Sequence, residues 1–468
     1  MTEPEPTLAG GSWRELLGRK YLGASAVLAG GVLLYATNEF LTISLLPSAV
    51  EEIGGQRYYA WVMTVYLVAS VAGATTVSAM LARFGPRMAY LGALAVFAGG
   101  STICAVAPSM EVLLGGRVVQ GAAGGVLAGL GYAVINAALP RSLWTRASAL
   151  VSAMWGVGTF LGPAGGGLFA QFGSWRWAFG ALVVLTIAIA VLVPIGLPRR
   201  SHDHEVAATR VPVWSLLPLG AAALLVSVAG LPQHILYTAV LLLAGAALVG
   251  VFLVVDRRTE DPVLPPTAFR PGPLKWIYLT LGVLMAATMV VMYVPLFGQR
   301  LAYLAPAAAG ILGVALAIGW TVSEIVSASA DRHVLVARIV LVAPLVMAVG
   351  LAACALLVRD GMPTGLVLVW SLALLIAGVG IGMAWPHLSA WAMTRVDDPA
   401  EGPVAAAAIN TVQLICGAFG AGLAGVVVNA VGTGDAVAAR WMFAVFAVLA
   451  LLGCVASYRA GRHGITVS

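Results

Sequence analysis

The chain has 468 residues, of which 61% are hydrophobic and 9% charged, whereas about a quarter of the residues in an average soluble domain are charged. This composition excludes a soluble globular enzyme and predicts a polytopic membrane protein. The net charge of +6 comes from residues spread between apolar runs, so we expect no nucleic-acid partner. The four cysteines lie within apolar runs without a closely spaced pair, which predicts neither a disulfide nor a metal site.

Apolar runs separated by polar turns predict an all-α membrane protein with fourteen spans, because about 20 apolar residues cross a bilayer as a helix. The first run is too long for a signal-peptide core, so we expect it to be retained as a span. The predicted spans are 22–47, 57–82, 88–107, 111–139, 147–171, 177–197, 213–231, 235–255, 275–298, 305–330, 334–358, 364–393, 403–430 and 438–459. The polar segments 198–212 and 256–274 are typical of linkers.

The placement of lysine and arginine predicts the orientation of the spans. With the N-terminus in the cytoplasm, most of the 25 basic residues fall on the cytoplasmic side, as the positive-inside rule requires. The exceptions are Arg117 within a span and, on the outer side, Arg57, Arg176, Arg300, Arg359 and Arg440. We therefore expect a multi-pass protein of the cell membrane with both termini in the cytoplasm. Omitting 213–231 and 235–255 together preserves this asymmetry, so a twelve-span protein with a lipid-surface or disordered insert is the alternative.

Two spans, on either side of the turn at 140–146, carry glycine at every fourth residue. These glycines are Gly121, Gly125 and Gly129 in the first span and Gly158, Gly162 and Gly166 in the second. Each set forms a smooth stripe that another helix backbone can approach closely, and Pro163 allows the second helix to bend. Arg117 is costly in lipid if unpaired, so it is expected to face an interior. This combination indicates moving parts rather than a membrane anchor.

Three segments in this region resemble motifs of one family. Arg117–Gly125 (RVVQGAAGG) resembles the helix 4 motif of the major facilitator superfamily, and Gly158–Gly167 resembles the helix 5 antiporter motif of its drug-exporting branches. Trp175–Phe179 is similar to the segment that leads into helix 6 in the fourteen-span drug:proton antiporter branch. Because the three occur in the family's order, the chain resembles this superfamily and, within it, that exporter branch.

The resemblance implies two six-helix bundles, with the substrate site near the midplane between the two halves. On the predicted spans, the divisions are a cytoplasmic N-terminus (1–21), an N-terminal bundle (22–197), a cytoplasmic linker (198–274) carrying the extra spans 213–231 and 235–255, a C-terminal bundle (275–459) and a cytoplasmic tail (460–468). The expected architecture is therefore the major facilitator fold with an additional two-helix hairpin in its central linker.

The family's cytoplasmic loop motif is present only in part. Its remnants are Ser78–Arg87, with Arg83 and Arg87, and Ser327–His333, with Asp331 and Arg332. The first remnant lacks the motif's glycine and aspartate, and the second lacks the glycine and the basic tail. In the family that aspartate helps to latch the bundles together, so the resemblance implies that the N-terminal latch is missing here. Arg83 and Arg87 then also fit a simple positive-inside role.

Apart from Glu111 at the first residue of the fourth span, only two of the 19 acidic residues, Glu39 and Glu324, fall within the predicted spans. Burial in a low-dielectric interior disfavours a charged carboxylate, so such a group can exchange protons near neutral pH. Glu39 shares a helical face with Tyr35, Asn38 and Thr42, and we predict that it couples proton movement to transport. The alternative is a buried acid that is permanently paired, for example with Arg117. The branch's aspartate, nine residues before a proline, corresponds to Asn38 rather than to Glu39.

Three further residues are predicted to take part in proton coupling. Glu324 lies about 10 Å from the cytoplasmic end of its helix, where functional and structural roles are both open. His387 has an ordinary pKa near physiological pH, although a lone histidine in an apolar helix is more often a packing residue. Arg117 stays charged and is expected to hold a carboxylate or to relay between proton and substrate sites. The alternative for Arg117 is a helix-end arginine that snorkels to the membrane surface.

The substrate cavity is predicted from the polar and aromatic residues within the spans. The candidates are Tyr35, Asn38, Trp61, Tyr66, Gln120, Tyr132, Asn136, Trp155, Tyr293, Trp320, Trp385, Asn410 and Gln413. Asn410–Gln413, followed by Gly417 and Gly420, resembles helix 11 of the same exporter branch. Taken singly, each aromatic residue also fits an ordinary packing or interface role.

Together these features predict a proton-coupled antiporter that exports hydrophobic or amphipathic small molecules by alternating access. Protons, the substrate and membrane lipids are the expected partners, without a cofactor, and the chain is expected to be monomeric. The alternative is a lipid or glycolipid exporter of the same fold, since the extra spans would shield an acyl chain. A membrane-embedded lipid-modifying enzyme is remote, because it needs clustered acids or histidines at one membrane face. The acidic pair Asp397–Asp398 is typical of a cap and turn before the next helix instead.

Overall fold

The computed structural model describes residues 12–198, 212–231, 234–330, 332–398, 401–431 and 434–465. Every regular element within these ranges is helical, which confirms the all-α class. Thirteen helices in the described ranges are long and apolar enough to cross a membrane, and a further, shorter apolar helix covers Val213–Val228.

The first half of the chain forms α1 (Trp13–Leu16), α2 (Leu22–Ile53), α3 (Trp61–Thr75), α4 (Val77–Ala105), α5 (Met110–Ala133), α6 (Ile135–Ala138), α7 (Trp144–Phe172) and α8 (Trp175–Gly196). Between the halves lie α9 (Val213–Val228) and α10 (Ile235–Asp256). The second half forms α11 (Leu274–Thr288), α12 (Val294–Ala302), α13 (Pro306–Ser327), α14 (His333–Leu357), α15 (Thr364–Thr394), α16 (Gly402–Ala430) and α17 (Asp435–Ile465). Short 3-10 helices cover Gln56–Tyr58, Arg141–Leu143, Pro266–Phe269 and Met289–Tyr293.

The helices depart from the predicted spans at two breaks that proline and glycine explain. The segment 83–87, predicted as the turn between the second and third spans, is helical except at Gly85, where φ is 73°. Only glycine adopts this backbone conformation readily, so α4 is two helical pieces, and the second begins at Pro86. In the ninth predicted span, Pro295 cannot donate to the carbonyl of Val291, and the chain tightens into the 3-10 helix Met289–Tyr293 before α12.

The two halves repeat the same helix packing. In the first half α2 packs on α7, α3 on α5 and α4 on α8, and in the second half α11 packs on α16, α13 on α15 and α14 on α17. Each half is therefore organised by the same three helix pairs in the same chain order.

The glycine stripes lie at these helix pairs. The α5 stripe faces α3, where a Cβ added at Gly125 would collide with the backbone of Ser70. The α7 stripe faces α2, where a Cβ added at Gly158 would lie 2.6 Å from Cβ of Ala36 and one at Gly162 would lie 2.6 Å from Cβ of Phe40. The close helix approach predicted from the glycine spacing is confirmed.

Replacing Gly125 with alanine is expected to lower the thermal stability of the protein. The new methyl group would overlap the carbonyl of Ser70, and overpacking of this kind costs about 1–3 kcal/mol. Gly115 on the same helix is a matched control, because a Cβ there meets no atom within 4 Å. We expect the apparent melting temperature in detergent to fall by several degrees for Gly125→Ala and not for Gly115→Ala. Equal melting temperatures for the two variants would contradict the packing.

The two halves touch mainly at one membrane face. We call the face that carries the connections 54–60, 106–109, 303–305 and 358–363 the closed face, and the opposite face, which carries the segment 257–273, the linker face. At the closed face, Arg300 Nη2 donates to Gln56 Oε1 at 3.0 Å. The amide nitrogen of Ala307 donates to Gln171 Oε1 at 3.3 Å. Each of these bonds joins one half to the other.

Candidate functional site

Beneath the closed face, the two halves meet around a void of about 10 Å³, which is too small for a substrate. It is lined by Phe40, Ile43, Ser44, Thr159, Pro163, Val291, Pro295, Gly310, Gly313, Val314 and Ala317. Ser44 Oγ donates to the carbonyl of Pro163 at 2.9 Å, which fixes the bent part of α7 against α2. The antiporter-like segment of α7 is therefore part of the contact that separates the molecule's centre from the closed face.

Four predicted site residues lie next to this contact, displaced toward the linker face. Residues four or seven positions apart lie on the same face of a helix. Each of the four site residues can therefore be paired with a residue on its own helix face: Glu39 with Ile43, Trp155 with Thr159, Glu324 with Ala317, and Asn410 with Gly417. The second member of each pair packs at the contact between the halves. Glu324 and Trp155 are nevertheless partly exposed, and Asn410 is exposed. The halves therefore leave these side chains uncovered at this depth. We call the gap between the halves here, on the linker-face side of the contact, the central space.

Arg117 is fully buried in the first half, and its partners are neutral. Its Nη1 donates to Asn38 Oδ1 at 3.1 Å and to Gln120 Oε1 at 2.9 Å. Its guanidinium lies 4.0 Å from the centre of the Tyr66 ring, a cation–π contact. This placement excludes an arginine that snorkels to the surface. Within the described part of the chain, the positive charge has no bonded counter-ion.

Glu39 lies near the middle of α2 and is 6% exposed. Within the part of the chain that the structure describes, its carboxyl group has no hydrogen-bond or ion-pair partner. Among the described residues, no direct ion pair joins it to Arg117. The alternative of a permanent Glu39–Arg117 pair is therefore wrong, since Arg117 binds Asn38 and Gln120 instead.

Aromatic rings and further polar side chains surround Glu39 and Arg117. Tyr35 stacks on Tyr66 with ring centres 5.6 Å apart, and it meets the edge of Trp155 at 5.3 Å. The Tyr35 hydroxyl and Asn38 Nδ2 are buried without a hydrogen-bond partner among the described residues. Gln120 Nε2 donates to Ser101 Oγ at 2.8 Å, which orients the amide that binds Arg117. Sequence reasoning missed Ser101, because a serine in an apolar run gives no distinguishing signal.

The second half contributes a separate cluster. Trp320 Nε1 donates to Glu324 Oε2 at 2.9 Å, and the Trp320 and Trp385 rings lie 5.5 Å apart. His387 is bonded to Ser327 Oγ through Nε2 at 2.8 Å. Glu324 thus faces the central space beside two indole rings, whereas His387 is fixed between α13 and α15. This environment of His387 matches the packing role that the sequence left open.

Three predicted cavity residues are packed away from the open space in this conformation. Trp61 Nε1 donates to the carbonyl of Ser227 at the end of α9, at 3.1 Å. Tyr66 lies under Arg117. Tyr293 stacks on Tyr59 of the first half at 4.8 Å. Sequence reasoning missed Tyr59, although it belongs to a cluster of aromatic residues after the first span, Tyr58, Tyr59 and Trp61.

The remaining predicted residues fall into three groups. Gln413 is partly buried on the face of α16 that turns toward the first half, and Tyr132 is 43% exposed. The side chain of Asn136 and the whole of Asp331 lie outside the described residues. At the linker face, Arg83 and Arg332 are exposed, while Arg87 bonds to the carbonyls of Leu197 and Pro194 and ties α4 to α8.

A helical protein with repeated halves, a polar centre within the membrane and a closure on one side defines a membrane transporter rather than an enzyme. The family model of the Major Facilitator Superfamily matches residues 28–421, and the chain belongs to this superfamily. It is 61% identical over 455 residues to the probable multidrug-efflux transporter Rv1634 of Mycobacterium tuberculosis (strain ATCC 25618 / H37Rv), with 96% of each chain covered.

Two more distant comparisons agree with this assignment. The multidrug transporter protein MdtP of Bacillus subtilis (strain 168) is 23% identical over 391 residues, with 82% of this chain and 71% of that protein covered. Among solved structures, a D-xylose-proton symporter superposes with a TM-score of 0.64 at 16% identity, with 92% of this chain and 96% of that chain covered. This structural likeness shows that the fold is shared, and nothing beyond the fold.

Proposed function

We propose that this protein is a proton-coupled antiporter that exports hydrophobic or amphipathic small molecules across the cytoplasmic membrane by alternating access. The observation that carries the proposal is the Glu39 carboxyl group, which lies in mid-membrane beside a buried arginine and has no bonded partner among the residues that the structure describes. An unpaired acid at this depth is costly unless it serves a function. The names of the relatives, a probable multidrug-efflux transporter and a multidrug transporter protein, support export of small molecules.

The proposed cycle depends on competition at Glu39. When Glu39 is charged, it favours a bound substrate and interacts with Arg117, and when it is protonated, it releases both interactions. A proton that enters from outside therefore weakens substrate binding and favours the return to the inward-open state. Arg117 stays charged throughout, and Asn38 and Gln120 hold it in place. The neutral partners leave its charge free to respond to Glu39.

The central space suits amphipathic substrates in particular. On the first-half side it offers Trp155 and the Glu39 carboxyl group, and on the second-half side it offers Trp320, Trp385 and the Glu324 carboxyl group. Aromatic faces and a carboxylate together accept an apolar body with a polar or cationic end. Gln413 and Asn410 add hydrogen-bonding groups from α16. We assign Glu324 to the substrate side of the site and Glu39 to the proton side.

The orientation and the span count belong to the same proposal. The linker face carries most of the basic residues, so the positive-inside rule makes it cytoplasmic and places both termini inside. The closed face is then external, and the described conformation is open to the cytoplasm. We include α9 as a fourteenth span, because its 16 residues extend about 24 Å and it is packed against α3, α10 and α16. The halves 22–197 and 275–459 form the two bundles, joined by 198–274.

Transport by purified protein in proteoliposomes tests the function. We expect an amphipathic cationic dye to be moved against its gradient only when a proton gradient of opposite direction is imposed. A protonophore is expected to stop this transport at once. Transport that survives the protonophore, or that follows ATP rather than the proton gradient, would overturn the proposal. Movement of a fluorescent lipid but of no soluble dye would favour lipid export.

A further inference from the structure

The α9–α10 hairpin makes directional contacts with both halves at the closed face. At the end of α9, Ser227 Oγ donates to Thr64 Oγ1 at 2.9 Å, and the Ser227 carbonyl accepts from Trp61 Nε1 at 3.1 Å. Both partners belong to α3 in the first half. Three residues further along, the Gly230 carbonyl accepts from Asn429 Nδ2 of α16, in the second half, at 3.2 Å. The hairpin therefore spans the seam between α3 and α16.

The opposite end of the hairpin is tied to the second half. The buried Asp256 carboxylate accepts from the amides of Val263 and Leu264 at 2.7 and 2.9 Å, which folds the chain back beneath α10. The following segment then docks on the loop between α15 and α16. Its bonds run from the Thr267 amide to Glu401 at 3.1 Å, from the Asp397 amide to Thr267 Oγ1 at 3.0 Å and from Arg270 to Asp397 at 2.9 Å.

Alternating access would affect these two sets of contacts differently. The bonds to Asn429, Asp397 and Glu401 lie within the second half and its linker, so they survive a rigid-body movement of the halves. The bonds from Ser227 to Trp61 and Thr64 join the hairpin to the first half at the closed face. They must break whenever that face opens, as does the bond from Asn429 Nδ2 to the Arg57 carbonyl at 3.1 Å.

We propose that the extra hairpin is a latch: it moves with the second half and holds the closed face shut by binding α3 through Ser227. This inference rests on the alternating access of the proposed function and gives the two additional spans a role in it. Removing the latch shifts the resting equilibrium toward the state that is open at the closed face. Because each buried hydrogen bond contributes a modest net stabilisation, loss of both is expected to shift that equilibrium by about 5- to 30-fold.

The test measures the separation of the halves directly. Spin labels are placed at Pro108 and Asp360, two exposed positions in closed-face connections of opposite halves. The four native cysteines are replaced by alanine in this background. Electron–electron resonance then gives the distance distribution across the closed face. The double variant Trp61→Phe, Ser227→Ala is expected to increase the long-distance population relative to the parent by the stated factor.

Ser215→Ala provides the matched control. Ser215 is a fully buried serine on the same helix whose hydroxyl has no hydrogen-bond partner among the described residues, so its removal is expected to leave the distances unchanged. Unaltered melting temperatures of all variants would show that the fold is intact. If the parent samples both distances but the double variant does not shift them, the latch is wrong. If the parent shows one distance under every condition of pH and substrate, alternating access itself fails, and the proposed function with it.

Discussion

Replacing Glu39 with glutamine is expected to reduce proton-driven export by at least ~100-fold, comparable to the loss of a positioned acid–base group. Glutamine keeps the size and polarity of the side chain but cannot release or accept the coupling proton. Substrate exchange at equal concentrations, which needs no net proton movement, is expected to persist at a raised substrate concentration, because the neutral side chain weakens substrate binding as protonation of Glu39 does. The measurement compares dye transport driven by a proton gradient with dye exchange in its absence, in the same proteoliposomes.

The matched control is Glu111→Gln, an acid-to-amide change on an exposed residue in the first turn of α5. It removes the same charge from the same half of the protein, and we expect transport close to that of the wild type. Active transport by the Glu39→Gln protein at the wild-type rate would remove Glu39 from the coupling mechanism. Loss of both transport and exchange would instead indicate damage to the substrate site.

Replacing Arg117 with methionine is expected to abolish transport, with a loss at least as large as that of Glu39→Gln. Arg117 donates to Asn38 and Gln120, and hydrogen bonds to a charged group contribute about 1.5–3 kcal/mol each. Their loss leaves two buried amides without their partner. Arg117→Lys keeps the charge but cannot reproduce the paired bonds of the guanidinium, so we expect partial activity. Transport and thermal stability are measured together for both variants.

Arg338→Ala is the control for this pair, because Arg338 is an exposed arginine on α14 and its removal is expected to leave transport unchanged. A structural role alone would lower the melting temperature of Arg117→Met and Arg117→Lys in parallel with their activity. A coupling role predicts that Arg117→Lys stays stable but needs a different pH for its maximal rate. An Arg117→Met protein with full transport would contradict the role of the network.

Much of the fold follows from the sequence because lipid restricts what a chain can do. A helix must satisfy its own backbone, so each long apolar run becomes a helix, and glycines at every fourth residue mark where helices touch. The exceptions are local: the predicted turn around Gly85 is mostly helical, and Pro295 alters the backbone inside a predicted run. Neither changes the order of the helices. The close approach at Gly125 and Gly162 was predictable, whereas its partners Ser70 and Phe40 were not.

The site was predictable in its ionisable residues and much less so in its arrangement. Glu39 and Arg117 are conspicuous in apolar runs, but only the structure shows that Arg117 binds neutral amides and that Glu39 has no bonded partner among the described residues. Trp61 and Tyr293 looked equally suited to a cavity, yet they lie in contacts at the closed face. A helix has several faces, and the sequence does not say which of them meets the central space. Ser227 could not be identified from the sequence, because its hydrogen-bond partners are 163 and 166 residues away along the chain.

The most direct test of the account is whether substrate binding expels a proton from Glu39. Substrate is added at neutral pH to purified protein in a weakly buffered detergent solution, and the released protons are recorded with a pH indicator. Proton release is expected from the wild type and from Glu111→Gln, and none from Glu39→Gln at a substrate concentration high enough to saturate that variant. Undiminished proton release by Glu39→Gln would contradict the claim that substrate and proton compete at this carboxyl group.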